Sequence, residues 1–187
     1  MQHFVRPAGP ADAEEIAAVQ QASWRATYKN LLLPESIARV EKIWDAEHWR
    51  QSLERTDNRV VPLVLDGEDT GIVGFGVGGP RRGMGDPRTR SFTGEVYLLY
   101  LLPAFQKRGY GGRLIASLAR VLIARGMESA VVWALATNRK AIGFYQHLGG
   151  TILVQRRKPF FGEQVNEVAL GWRDLDVLAS APRNMPQ

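Results

Sequence analysis

The 187-residue chain is 45% hydrophobic and 23% charged, the proportions of an ordinary globular protein long enough for one domain with a sizeable core. It has no cysteine, which excludes disulfides, thiolate metal sites and a cysteine nucleophile. A net charge of +5 suits an anionic small ligand or a plain basic surface; the basic residues are dispersed and aromatics do not interleave with them, so no nucleic-acid partner is expected. Residues 1–10 hold no apolar leader and no stretch approaches the roughly twenty apolar residues of a membrane span, so the expectation is a cytoplasmic protein without membrane contact.

In chain order, His3 to Arg6 predicts a short strand closed by Pro7 and Pro10. From Ala11 to about Tyr28, Ile16, Val19, Gln20, Ser23, Trp24, Thr27 and Tyr28 recur at helical spacing, with Asp12, Glu14 and Glu15 near the first turn, where the helix dipole favours acids. Trp24 and Tyr28, one turn apart, read equally as a core stripe or as the wall of a substrate site. Pro34 opens a second helical stretch through Ile37, Val40, Ile43 and Trp44, and His48 to Leu53 either continues it or forms a separate turn. Arg59 to Leu65 and Ile72 to Gly78 predict a hairpin, with Pro62 marking an edge strand. Gly79 to Gly94 reads as a mobile basic loop that crowds Arg81, Arg82, Arg88 and Arg90 onto irregular backbone.

The densest signal follows. An apolar strand from Glu95 to Leu102 is stopped by Pro103, passes through the basic turn Gln106-Lys107-Arg108-Gly109-Tyr110-Gly111-Gly112, and enters a helix with Leu114, Ile115, Leu118, Val121 and Leu122 on one stripe. Glycines allow close approach of a ligand, and the first turn of a helix offers free N–H groups with partial positive charge, so the turn suits a diphosphate. Ser129 to Leu135 predicts a buried strand. A helix carrying Ala141, Phe144, Tyr145 and Leu148 ends at Gly149, and Thr151–Val154 and Gln164–Trp172 form a hairpin across Pro159–Gly162. Asp174 to Gln187 reads as a loose tail after a domain spanning residues 1–173. Strands before and after two strand-helix units give an α+β, or mixed α/β, sandwich around one central sheet.

The spacing Gln106-x-x-Gly109-x-Gly111 is neither the dinucleotide nor the P-loop pattern. It resembles the [RQ]-x-x-G-x-[GA] loop of the GNAT superfamily of acyl-CoA-dependent N-acetyltransferases, and Asn138-x-x-Ala141-x-x-Phe144-Tyr145-x-x-Leu148-Gly149 is similar to that family's second motif. The resemblance implies a mixed, mostly antiparallel sheet splayed between its fourth and fifth strands, over residues 2 to about 173. It also implies transfer from acetyl-CoA to a primary amine by direct attack in a ternary complex, without a metal. The diphosphate would lie on the backbone of Gln106 to Gly112, with Tyr110 in contact and Lys107, Arg108 and Arg113 as charge partners. The pantetheine arm would run along Tyr97 to Leu102, a backbone N–H near Leu101 or Leu102 meeting the oxyanion.

By the same resemblance Tyr145 donates a proton to the departing thiolate, the alternative being a core tyrosine. Asn138 faces the cofactor arm, caps its helix, or does both beside Thr137. Glu95, eleven positions before Gln106, is a base acting through water or a solvent-facing strand residue. The acceptor, a small-molecule amine or a protein or peptide amino group, would meet Trp24, Tyr28 and Phe160. Arg81 and Arg82 would favour one bearing a carboxylate or phosphate, unless they are uninvolved surface charges. A homodimer is allowed. The competing functions are a catalytically silent acyl-CoA-binding module and, on charge alone, a nucleic-acid-binding domain.

Overall fold

The computed structural model describes residues 2–55, 59–83 and 86–180. Its strands are β1 (His3–Pro7), β2 (Val61–Gly67), β3 (Gly71–Pro80), β4 (Gly94–Leu101), β5 (Ala130–Leu135), β6 (Thr151–Phe160) and β7 (Glu163–Trp172). They form one sheet in the order β1-β2-β3-β4-β5-β7-β6. Every neighbouring pair is antiparallel except β4 and β5. That pair is matched only from Gly94–Val96 to Ala130–Val132, after which the strands part. The mixed sheet splayed between its fourth and fifth strands, expected from the motifs, is therefore present.

Helices cover both faces. On one side lie α1 (Ala13–Tyr28), α2 (Pro34–Ile43) and α3 (Ala46–Glu54); on the other lie α4 (Tyr110–Ala124), α5 (Arg139–His147) and α6 (Leu175–Ala179). The stripe read from the sequence of α4 is its packing face, with Leu114, Ile115, Leu118 and Leu122 fully buried. Each such side chain contributes about 1.5–3 kcal/mol by leaving water. A Cβ on Gly78 of β3 would lie 3.2 Å from Leu118, so the glycines alternating along β3 let α4 sit close to the sheet. His48 to Leu53 belongs to a separate helix, α3, capped by the Asp45 carboxylate accepting from the His48 N–H at 2.8 Å.

Three expectations need correction. β2 lies between β1 and β3, so Pro62 does not mark an edge. The Pro62 carbonyl accepts from the Ala8 N–H at 3.0 Å, which turns its nitrogen to the same side, just past the end of the β1 ladder at Pro7 and Leu63, where no donor is required. The 79–94 loop is more ordered than its composition suggests. β3 continues to Pro80, the Arg81 N–H still reaches the Thr93 carbonyl, and Thr89 and Phe92 are buried; Met84 and Gly85 lie outside the described residues. The expected loose tail begins instead with α6, whose Leu175 and Leu178 are fully buried in the main core; residues 181–187 lie outside the described residues.

Candidate functional site

The turn between β4 and α4 is built mostly from backbone. Gly109 takes φ +78°, a left-handed conformation that glycine adopts without the clash a Cβ brings, and it caps α4 without contributing a side chain. The first-turn N–H groups of Tyr110, Gly111 and Gly112 consequently have no partner among the described residues. Lys107 and Arg108 stand exposed beside them. Other members of the expected set turn elsewhere. Gln106 donates to the Leu101 carbonyl at 3.1 Å and so ties the turn to β4. Arg113 reaches the His3 carbonyl at 2.6 Å and the Tyr110 hydroxyl meets His3 Nδ1 at 3.1 Å, which fastens α4 to β1. Gly111 serves packing as well, since a Cβ there would lie 3.3 Å from both Leu101 and the Phe144 ring.

Strand β4 changes character where β5 leaves it. Leu98 pairs with Val77 and Val96 with Gly78, so Tyr97 is the extra residue of a bulge. Beyond it the backbone alternates. The Leu102 N–H donates to the Val73 carbonyl at 2.9 Å and therefore faces β3, which turns the N–H groups of Leu99 and Leu101 towards the gap left by β5. Of the two leucines singled out in the sequence, Leu101 has its amide on the open edge and Leu102 does not. Leu99 and the bulge went unnoticed because strand pairing carries no local sequence signature.

Three tyrosines gather around this gap. Tyr145 on α5 is 7% exposed, and its hydroxyl has no hydrogen-bond partner among the described residues. Burial, and then the charge that Tyr28 would carry, push its phenol well above the ordinary range, so it stays protonated. Burial pushes the Tyr28 phenol up as well, with neighbouring Asn138 and Tyr100 partly offsetting it; Tyr100 is driven up by burial and then by both neighbours. Asn138 caps α5, its Oδ1 accepting from the Ala141 N–H at 3.1 Å. Trp24 packs at 4.1 Å from Tyr28, with Tyr100 and Phe160 nearby, in a cluster of its own. The core stripe read from the sequence is thus present there, and the buried Trp24 Nε1 has no partner among the described residues.

Across the sheet from α4 lies a cavity of about 530 Å³ bordered by β4, β5, β6, β7 and the β3–β4 connection. Glu95 is 5% exposed and faces it, held by the Arg82 guanidinium at 2.8 Å and the Arg82 N–H at 3.0 Å. Its solvent-facing alternative is thereby set aside, and Arg82, read as a free surface charge or an acceptor grip, is first of all the partner of Glu95. Opposite stand Glu167, Arg156, Lys158 and Trp133, none of which sequence reasoning singled out. Arg88 pairs with Asp86 at 2.8 Å and holds that carboxylate down to about 2, with a smaller contribution from Arg156. No group of three or more potential metal ligands occurs among the described residues, and none of their helices is long and apolar enough to cross a membrane.

A family profile described as Acetyltransferase (GNAT) family matches residues 18–150. The chain is 30% identical over 175 residues to the uncharacterized N-acetyltransferase YuaI of Bacillus subtilis, covering 93% of this chain and 95% of that protein. Its fold is similar to that of PaiA N-acetyltransferase from Thermoplasma acidophilum in complex with coenzyme A, with a TM-score of 0.70, 18% identity, and coverage of 89% of this chain and 98% of the other. It is likewise similar to YncA from Salmonella typhimurium with its cofactor acetyl-CoA, at a TM-score of 0.67, 20% identity, and coverage of 93% and 94%.

Proposed function

The chain belongs to the acetyltransferase (GNAT) family and is an acyltransferase of that kind; from that premise we propose that it moves the acetyl group of acetyl-CoA directly onto a primary amine in a ternary complex. The observation that carries this reading is the open edge of β4 beside a buried tyrosine whose hydroxyl has no partner among the described residues. An extended pantetheine arm fits where β5 has left β4, because it can pair with backbone groups as another strand would. The free N–H groups at the start of α4 suit the diphosphate, with Lys107 and Arg108 adding charge.

The residues then divide the work. Glu95, acting through water, takes a proton from the attacking amine. The Leu99 and Leu101 N–H groups stabilise the oxyanion that forms as nitrogen bonds to the carbonyl carbon. As the carbon–sulfur bond breaks, Tyr145 gives its proton to the departing thiolate. A phenol kept protonated by burial is suited to donate at any pH where the amine is neutral. Asn138 holds the start of α5, the helix that carries Tyr145.

The test is free-thiol release from acetyl-CoA across a panel of primary amines, amino acids and peptides. Release that depends on both substrates and saturates in each supports the reading. Tight binding of coenzyme A with no release for any amine would replace it with a binding module.

A further inference from the structure

The charged cavity holds more than acetyl transfer requires. Four cations, Arg81, Arg82, Arg156 and Lys158, line it against two carboxylates, Glu95 and Glu167. Arg82 serves Glu95 at 2.8 Å, while Arg156 and Lys158 share Glu167 at 3.1 and 3.0 Å. Among the described residues Arg81 reaches only an uncharged group, the Gly83 carbonyl, at 2.8 Å. One positive charge is therefore left over on each wall, Arg81 on the β3–β4 connection and the second cation of Glu167 on β6.

These groups are also held in place. The Arg156 guanidinium lies 3.6 Å from the centre of the Trp133 ring and that of Arg82 3.9 Å from the centre of Tyr97, each stacked and each tied to a carboxylate that is less than a tenth exposed. Solvated surface arginines sample many rotamers; stacked and ion-paired ones have already lost that freedom, so a ligand need not order them. A concave wall concentrates their field. Single surplus charges on separate walls suit a singly charged, planar carboxylate better than a compact dianion, which gathers several cations at one point.

We infer that the acceptor is a small amine that also carries a carboxylate, of the amino-acid class, held by the surplus charge of Arg81 and Lys158 with its amine directed towards Glu95 and the open edge of β4. This rests on the reading of the chain as an amine acetyltransferase and names the acceptor class of that same site. The volume of about 530 Å³ admits a free amino acid or a conjugate of similar size.

The experiment is calorimetric titration of the full chain, saturated with coenzyme A, with each L-amino acid and its α-carboxamide, with thiol release from acetyl-CoA measured in parallel. At least one amino acid should bind about tenfold or more tightly than its amide, the scale of one charge-assisted contact. The Arg81→Ala/Lys158→Met double variant, verified by circular dichroism, should lose most of that preference; should it not fold, the acid–amide comparison on the unaltered chain decides alone. Equal binding of acids and amides, or no binding of any amino acid, overturns the inference. Preference for acids without thiol release upholds the cavity assignment and refutes the transferase reading. Thiol release as fast with amides as with acids does the reverse.

Discussion

The turn at the start of α4 and the charged cavity lie on opposite sides of one sheet and are made from different materials. The first is seven consecutive residues, Gln106 to Gly112, whose backbone makes the proposed diphosphate site. The second is assembled from side chains of the β3–β4 connection and of β4, β5, β6 and β7, from Arg81 to Glu167. Backbone amides can recognise only what every acyl-CoA shares. Side chains gathered from five segments can select one acceptor. On the proposed reading the division separates cofactor binding from acceptor selectivity, with Glu95 on the cavity side and Tyr145 beside the open edge of β4.

The variants that break this arrangement most severely act at these two residues. Tyr145→Phe keeps the ring and its packing against Phe144 and Trp172 but removes the hydroxyl. Turnover should fall about 10³-fold with coenzyme A affinity unchanged, as measured by steady-state kinetics beside calorimetry. The pH profile carries a sign. Tyr145 must be protonated to act and burial raises its pKa, so the rate of the unaltered enzyme should not decline on passing pH 10, the ordinary phenol value. Glu95→Gln comes next, with turnover about 10²-fold lower near neutral pH and recovering as pH approaches an alkylamine's own pKa of about 10, where no base is needed.

Smaller effects test each half alone. Gly109→Ala forces a Cβ into a left-handed conformation at a cost of about 1–2 kcal/mol. The turn escapes by giving up its amide array, so coenzyme A should bind about tenfold more weakly while acceptor selectivity is kept. Gly111 would be a poorer probe, because substitution there also presses on Leu101 and Phe144. Least of all, Arg81→Ala should raise the acceptor KM about two- to fivefold at low salt and hardly at all in 1 M salt, where the Debye length is about 3 Å. Arg82 is unsuited to that test, since removing it leaves the buried Glu95 carboxylate without its partner.

What could be read from the sequence follows the same division. The glycine turn, the helix behind it and the Asn138–Gly149 segment were legible because their geometry is decided within a few residues: a φ of +78° needs Gly109, and a cap needs Asn138 three positions before Ala141. The hairpin of β2 and β3 was legible for the same reason. Pro62 misled because its tolerance depends on where β1 ends, a fact carried by residues more than fifty positions away. α6 was missed because five residues give too little periodicity to show that Leu175 and Leu178 meet the core. Arg82 and Glu95 were both noticed, yet not as partners. Glu167, Arg156 and Trp133 were not singled out: Arg156 faces Glu167 across the β6–β7 hairpin, and only the β5-β7-β6 order brings Trp133 beside them.

The central claim, that acetyl passes directly between groups brought in from the two sides of the sheet, is tested most directly by initial rates over a grid of acetyl-CoA and acceptor concentrations. With no cysteine in the chain and direct attack as the proposed route, double-reciprocal lines should intersect, as a ternary complex requires. Parallel lines, the mark of an acetylated enzyme formed before the acceptor arrives, would contradict it.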